Sequence, residues 1–165
     1  MHKEEVKKFL GDVKESLRLR RAGKKNTEAL KHFPLAKHQA VYVLDFKTQQ
    51  VLFQNGVESF LGYKPVDFTF EKVINYYHPD DYEMVSRLLR ATLLYTVENP
   101  ISDENVAYFI THRIKKKDGS YIKVLRQSAV FEKDKSGKLI SNISIISDIS
   151  FIDTSDKVQW KFDAP

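Results

Sequence analysis

Apolar residues recur along this chain with two different periods, and the change of period divides it. Between Lys3 and Ala22 the apolar positions are Val6, Phe9, Leu10, Val13 and Leu17, spaced by three and four residues, which draws one stripe along an amphipathic α-helix. Gly23 stops that pattern. Residues 23–37 are polar and contain Pro34, which predicts an irregular connector with one helical turn at Thr27 to His32. From Ala40 the period shortens to two. Ala40 to Phe46 and Val51 to Gln54 read as an antiparallel pair around Lys47-Thr48-Gln49-Gln50, ended by Asn55-Gly56. Short helical pieces are expected at Val57 to Leu61 and Phe70 to Tyr77. A longer helix follows His78-Pro79-Asp80-Asp81, where Pro79 suits a first helical position and the aspartates oppose the positive end of the helix dipole. Its buried stripe is Val85, Leu88, Leu89, Thr92, Leu93 and Thr96, and Asn99-Pro100 ends it.

The last third returns to period two over three long runs. Val106 to Lys116 meets Ser120 to Glu132 across Asp118-Gly119, read as a two-residue turn with positive φ angles. Asp134-Lys135-Ser136-Gly137 then turns the chain into Leu139 to Ile149. Such a three-stranded antiparallel meander buries one face and needs cover, and the preceding helices are the only substantial cover available. An α+β domain follows. After it, Val158, Trp160 and Phe162 alternate with Lys157, Gln159 and Lys161, which is again strand periodicity. A strand that exposes a tryptophan is expected to dock on this domain, on the N-terminal helix or on a second subunit.

Composition narrows the chemistry. The 165 residues are 42% hydrophobic, enough for one ordinary core. Cysteine is absent, which excludes disulfides, thiolate metal sites, iron–sulfur clusters and cysteine nucleophiles, and fits a cytoplasmic location. No apolar run has the length that spans a bilayer, so no membrane partner is expected. Residues 1–38 carry 11 Lys+Arg against 5 Asp+Glu, and the remaining 127 residues carry 16 against 17. The body is therefore neutral and the leader basic. The ordinary role of such charges is to solvate the outer face of a helix, so direct nucleic-acid binding by this segment is not expected.

The order of elements, with His78-Pro79-Asp80-Asp81, Arg113 to Tyr121 and Asp148-Ile149-Ser150, resembles a PAS domain over residues 39–150. The resemblance implies a five-stranded antiparallel sheet, the first hairpin and the meander joined edge to edge, with helices on one concave face. It divides the chain into an N-terminal amphipathic helix and connector (1–38), the PAS domain (39–150) and a strand-like extension (151–165). It also implies that Asp148, Ile149 and Ser150 pass core movements to an output segment. A basic helix, one PAS domain and a strand-like tail are similar to the N-terminal half of bacterial LuxR-type regulators, whose output, a helix-turn-helix domain, would lie outside this chain.

A PAS cavity can hold a flavin, a haem, a small organic acid or nothing. Without cysteine neither a cysteine-linked flavin nor a thioester chromophore can form. Haem would need an axial ligand, and the candidates are poor: His78 precedes a proline at a helix start, the position of a cap, and His112 sits in a strand as a wall residue. His2, His32 and His38 show no metal-ligand spacing with any carboxylate, and no metal site is expected. The cavity wall is expected from Leu44, Phe60, Val73, Tyr77, Leu89, Leu93, Ile110, His112, Leu125, Asn142, Ile143 and Ile145, with Asn142 and Gln127 able to orient a ligand. Helix packing or dimer contact falls to Val6, Phe9, Leu10, Val13, Leu17 and Trp160. The resulting expectation is a non-catalytic sensory and dimerisation module, a homodimer that binds a small ligand or partner and relays to an output domain. The alternative is a small α+β cone-fold enzyme with a buried His–Asp proton-transfer pair.

Overall fold

The computed structural model describes residues 3–18, 27–101 and 106–163. The elements follow the periodicities closely: α1 (Lys3–Arg18), β1 (Gln39–Asp45), β2 (Gln50–Asn55), α2 (Val57–Leu61), α3 (Phe70–Val73), α4 (Pro79–Glu98), β3 (Ala107–Lys115), β4 (Tyr121–Lys133), β5 (Leu139–Asp148) and β6 (Trp160–Asp163). Short 3₁₀ turns occupy Glu28–His32 and Pro65–Asp67. The segment after α3 is shorter in helix than expected, because Lys115 and His78 spend backbone hydrogen bonds on Tyr76 and Arg113 across the sheet edge.

All six strands form one antiparallel sheet in the order β2-β1-β5-β4-β3-β6. The β1–β5 pairing joins the first hairpin to the meander edge to edge. The expected five strands are thus extended by a sixth, since the C-terminal segment docks on its own domain and pairs Trp160 with Ile110 and Phe162 with Tyr108. Together with the 76–78 segment, which bridges Tyr77 to Ile114, β6 covers the free edge of β3. Unpaired edge N–H and C=O groups invite association, and here they are satisfied within the domain.

The turn at Asp118-Gly119 departs from the sequence expectation. Gly119 alone has positive φ (91°), Gly119 N donates to Lys116 O, and Lys116 N donates to Ser120 O. This is a three-residue connection with glycine at the bulge, not a two-residue turn. Asp118 accepts from both the backbone N and the Oγ of Ser120, which removes the need for a second strained residue.

α2, α3 and α4 pack on one face of the sheet. There β1 contributes Ala40, Tyr42 and Leu44, and β3 contributes Ile110 and Ile114, all in one cluster with Val85, Leu88 and Leu93 of α4. Side chains buried this fully stabilise by roughly 1.5–3 kcal/mol each. Phe9 and Leu10 of α1 join the same cluster, Gln49 Nε2 donates to Leu10 O, and the Arg90 guanidinium lies over the Phe9 ring. The side chains of Val6, Val13 and Leu17, named with them in the apolar stripe, lie outside the described residues.

Candidate functional site

Strand alternation decides which residues face the helices, and on β4 and β5 the result is unusual. The inward positions include Arg126 and Ser128 of β4 and Asn142 and Ser144 of β5, and Tyr108 of β3 pairs with Ser128. The middle of the buried face is therefore polar, while Val124 and Ile146 beside it are apolar. These polar residues line a cavity of about 60 Å³. A water needs roughly 10–15 Å³ on the same measure, so the space exceeds a single solvent site. Leu10, Leu44, Val73, Leu93 and Phe162 supply apolar walls.

Arg126 sets the electrostatics of this space. It is 4% exposed, and Nη1 donates to Tyr77 Oη at 2.8 Å. Its guanidinium carbon stands 5.8 Å from the ring centres of both Tyr77 and Tyr108, within cation–π range. Burial works against its charge, but the Tyr77, Tyr42 and Tyr108 oxygens outweigh burial and the net shift is upward, so the cation persists. Burial raises the phenols of two of these neighbours, Tyr42 and Tyr108, the latter to about 12, against the opposing pull of Arg126. His112 is neutral, held well below 6.5 first by burial and then by Arg126 and Lys123. Among the described residues no carboxylate pairs with Arg126, and its Nε has no hydrogen-bond partner. Tyr108 Oη and Asn142 Oδ1, both in the cavity wall, also lack partners. By contrast the remaining hydroxyls are satisfied: Ser128 and Ser144 bond each other, and Thr92 and Thr96 bond their own helix carbonyls.

The structure sorts the residues named from sequence into three groups. Leu44, Val73, Tyr77, Leu89, Leu93 and Asn142 line the cavity. Phe60, Ile110 and His112 are buried in the core beside it, His112 edge-on to the Tyr77 ring. Leu125, Ile143 and Ile145 are a correction: they lie on the opposite face, with Val41 and Val43 opposite Ile145 and Ile143 in register. Gln127 also points outward and is exposed. Apolar character misplaced β5 by one residue, because both faces of that central strand are partly covered. His78 caps α4, its Nδ1 accepting from Asp80 N.

Sequence reasoning missed Arg126, Lys123 and Arg113. Arg126 was visible as a basic residue two positions from Val124 in a strand whose alternating residues are core. Lys123 is buried because the chain beyond β5 crosses it: Nζ donates to the carbonyls of Ser155 and Lys157. Arg113 holds Asp81 of α4 and Asp156 of the same crossing segment. The Asp148-Ile149-Ser150 triplet starts that crossing. Asp148 Oδ1 accepts from Ser150 N, Ser150 Oγ accepts from Lys123 N, and Asp148 N donates to His38 O, so the entering and departing segments meet there.

Comparison with known proteins agrees with this architecture. A family model described as PAS fold matches residues 50–146, and the chain belongs to that family. The N-terminal domain of a diguanylate cyclase with PAS/PAC sensor from Marinobacter aquaeolei is similar in fold, at 19% identity and TM-score 0.55, covering 68% of this chain and 96% of that one. A PAS domain of a Colwellia psychrerythraea protein superposes with TM-score 0.56 at 19% identity, covering 76% and 97%. A sensory box histidine kinase/response regulator of Burkholderia thailandensis gives TM-score 0.51 at 15% identity, covering 70% and 79%. No curated protein matches the chain.

Proposed function

We propose that this PAS domain is a non-catalytic sensory module, in which occupancy of the cavity under α4 biases the segment that leaves β5. The observation that carries the proposal is physical continuity. Phe162 of β6 forms part of the cavity wall, and the same tail is held by Lys123 and Arg113 and begins at Ser150. A ligand that repacks the cavity would therefore act on the tail without an intermediary. A signalling role is in keeping with the diguanylate cyclase with PAS/PAC sensor and the sensory box histidine kinase that share the fold, and no reacting pair is needed for it.

The enzyme alternative required a buried His–Asp pair. His112 has Tyr77 against its ring and two cations, Arg126 and Lys123, as its charged neighbours, which favours the sensory reading. The LuxR-type output and cytoplasmic location rest on the basic leader helix, the strand-like tail and the cysteine-free composition. A homodimer would use the outward face of the sheet, where Phe109, Leu125, Ile143 and Ile145 are partly exposed, since Phe9 and Leu10 are already spent on the domain's own core. Native mass spectrometry of protein purified from its own cells tests the module directly. A released small molecule in the protein's mass spectrum is the expected result. Protein that carries nothing, and takes up no member of a broad metabolite panel, would reject ligand sensing.

A further inference from the structure

The cavity contains a buried cation with no anion to match it. Arg126 is held in place by a hydrogen bond to Tyr77, two aromatic rings and the phenol of Tyr42, none of them a carboxylate, which leaves its charge without an anionic partner among the described residues. A buried charge without a partner is strongly disfavoured in a folded protein, and the ordinary remedies of a carboxylate neighbour or loss of the proton are not used here. The guanidinium keeps N–H groups available, Nε among them, and a planar fork of this kind matches a carboxylate. Tyr108 adds a second unbonded donor on the adjacent strand, and its ring already meets the guanidinium. Apolar side chains make up most of the rest of the wall.

We propose that the cavity binds a small monocarboxylate with an apolar body, its carboxylate on Arg126 and Tyr108 and its hydrocarbon part against Leu44, Leu93 and Phe162. This rests on the sensory reading of the cavity and adds the class of ligand to it. The size is limited by the cavity volume of about 60 Å³, which favours short aliphatic or single-ring acids over long-chain lipids. Asn142 contributes at the other end. Arg126 pairs across to Ile146, four residues from Asn142 along β5, and the amide of Asn142 turns an unbonded oxygen into the same space. A hydrogen-bond donor on the far end of the ligand would find an acceptor there.

The test compares an acid with its neutral isostere. Butyrate and benzoate, and the corresponding amides butyramide and benzamide, are titrated into the full chain by calorimetry and followed by thermal unfolding. The acids are expected to bind and raise the unfolding midpoint, and the amides to bind at least tenfold more weakly. Arg126→Met keeps length and apolar contact while removing the charge, and should abolish the preference for the acid. Tyr108→Phe removes only a hydroxyl that makes no hydrogen bond, so it should fold as the parent does and weaken acid binding several-fold. Equal binding of acid and amide in parent and variants would overturn the carboxylate assignment while leaving a ligand cavity. Absence of binding by all four probes, in parent and in Arg126→Met alike, would overturn the cavity reading itself.

Discussion

Arg113 joins Asp81 to Asp156: its Nη2 lies 2.6 Å from Asp81 Oδ1, and its Nη1 lies 2.8 Å from Asp156 Oδ1. Asp81 is 2% exposed and also accepts the Arg113 backbone N–H, so the start of α4, strand β3 and the departing tail share one guanidinium. Replacing Arg113 by Met would strand a buried carboxylate. The expected loss is about 3–5 kcal/mol, the usual cost of removing one partner of a buried pair. Asp156→Asn breaks an exposed contact and should cost under about 1 kcal/mol. Urea denaturation of both variants checks the difference, and equal losses would show that Asp81 is not dependent on Arg113.

Gly56 begins α2 with φ +80°, and a Cβ there would stand 2.5 Å from Gln39 O. Backbone strain and a clash with main-chain atoms act together, so Gly56→Ala should destabilise by roughly 2–4 kcal/mol, above the ~1–3 kcal/mol of the left-handed conformation alone. Gly119 has φ +91° but open space around it. Gly119→Ala should show only the conformational part, on the order of 1–2 kcal/mol. Urea midpoints that rank Gly119→Ala as the worse variant would contradict the contact with Gln39.

His112 links stability to pH. Burial first, and then the charges of Arg126 and Lys123, hold its folded-state value well below 6.5. The unfolded chain therefore binds a proton that the folded chain refuses once pH falls below 6.5. The His112 contribution is fully present above that value and shrinks as pH drops through it, with a slope of up to about 1.4 kcal/mol per pH unit. The difference in unfolding free energy between the parent and His112→Asn, measured from pH 7.5 to 5, should narrow with acidity. A constant difference would place the ring in contact with solvent.

Much of this fold was legible because local signals agreed with each other. Asp134-Lys135-Ser136-Gly137 turns as expected, with Gly137 at φ +83° and its N donating to Asp134 O. The tail strand was readable from Val158, Trp160 and Phe162, although its docking place was not, because three surfaces could have accepted it. The cavity was half legible. Ile143 and Ile145 attracted the inward assignment by being apolar, whereas the chain places Asn142 and Ser144 inside and leaves the isoleucines on the outer face. Polar residues at inward strand positions were the signal of the site, and a rule that equates core with apolar character passes over them. Lys123 could not have been found from its own neighbours, since the carbonyls that bury it come 32 and 34 residues later.

The tail's attachment at β3 should be separable from the fold of the rest. Gln159 N donates to Thr111 Oγ1, and Thr111 N donates to Gln159 O. Thr111→Val removes the side-chain acceptor only, which should cost about 1 kcal/mol. Hydrogen exchange at residues 157–163 should speed up while β4 and β5 stay protected. Loss of protection across the whole sheet would mean that the tail is part of the cooperative core.

Hydrogen exchange with and without cavity occupancy is the most direct measurement of whether the interior speaks to the exit segment. With saturating butyrate, exchange is expected to slow both in the cavity strands and in residues 148–163, and Lys123→Met should uncouple the second region from the first. Protection confined to β3, β4 and β5, with residues 148–163 unchanged in the parent protein, would contradict a sensory connection between them.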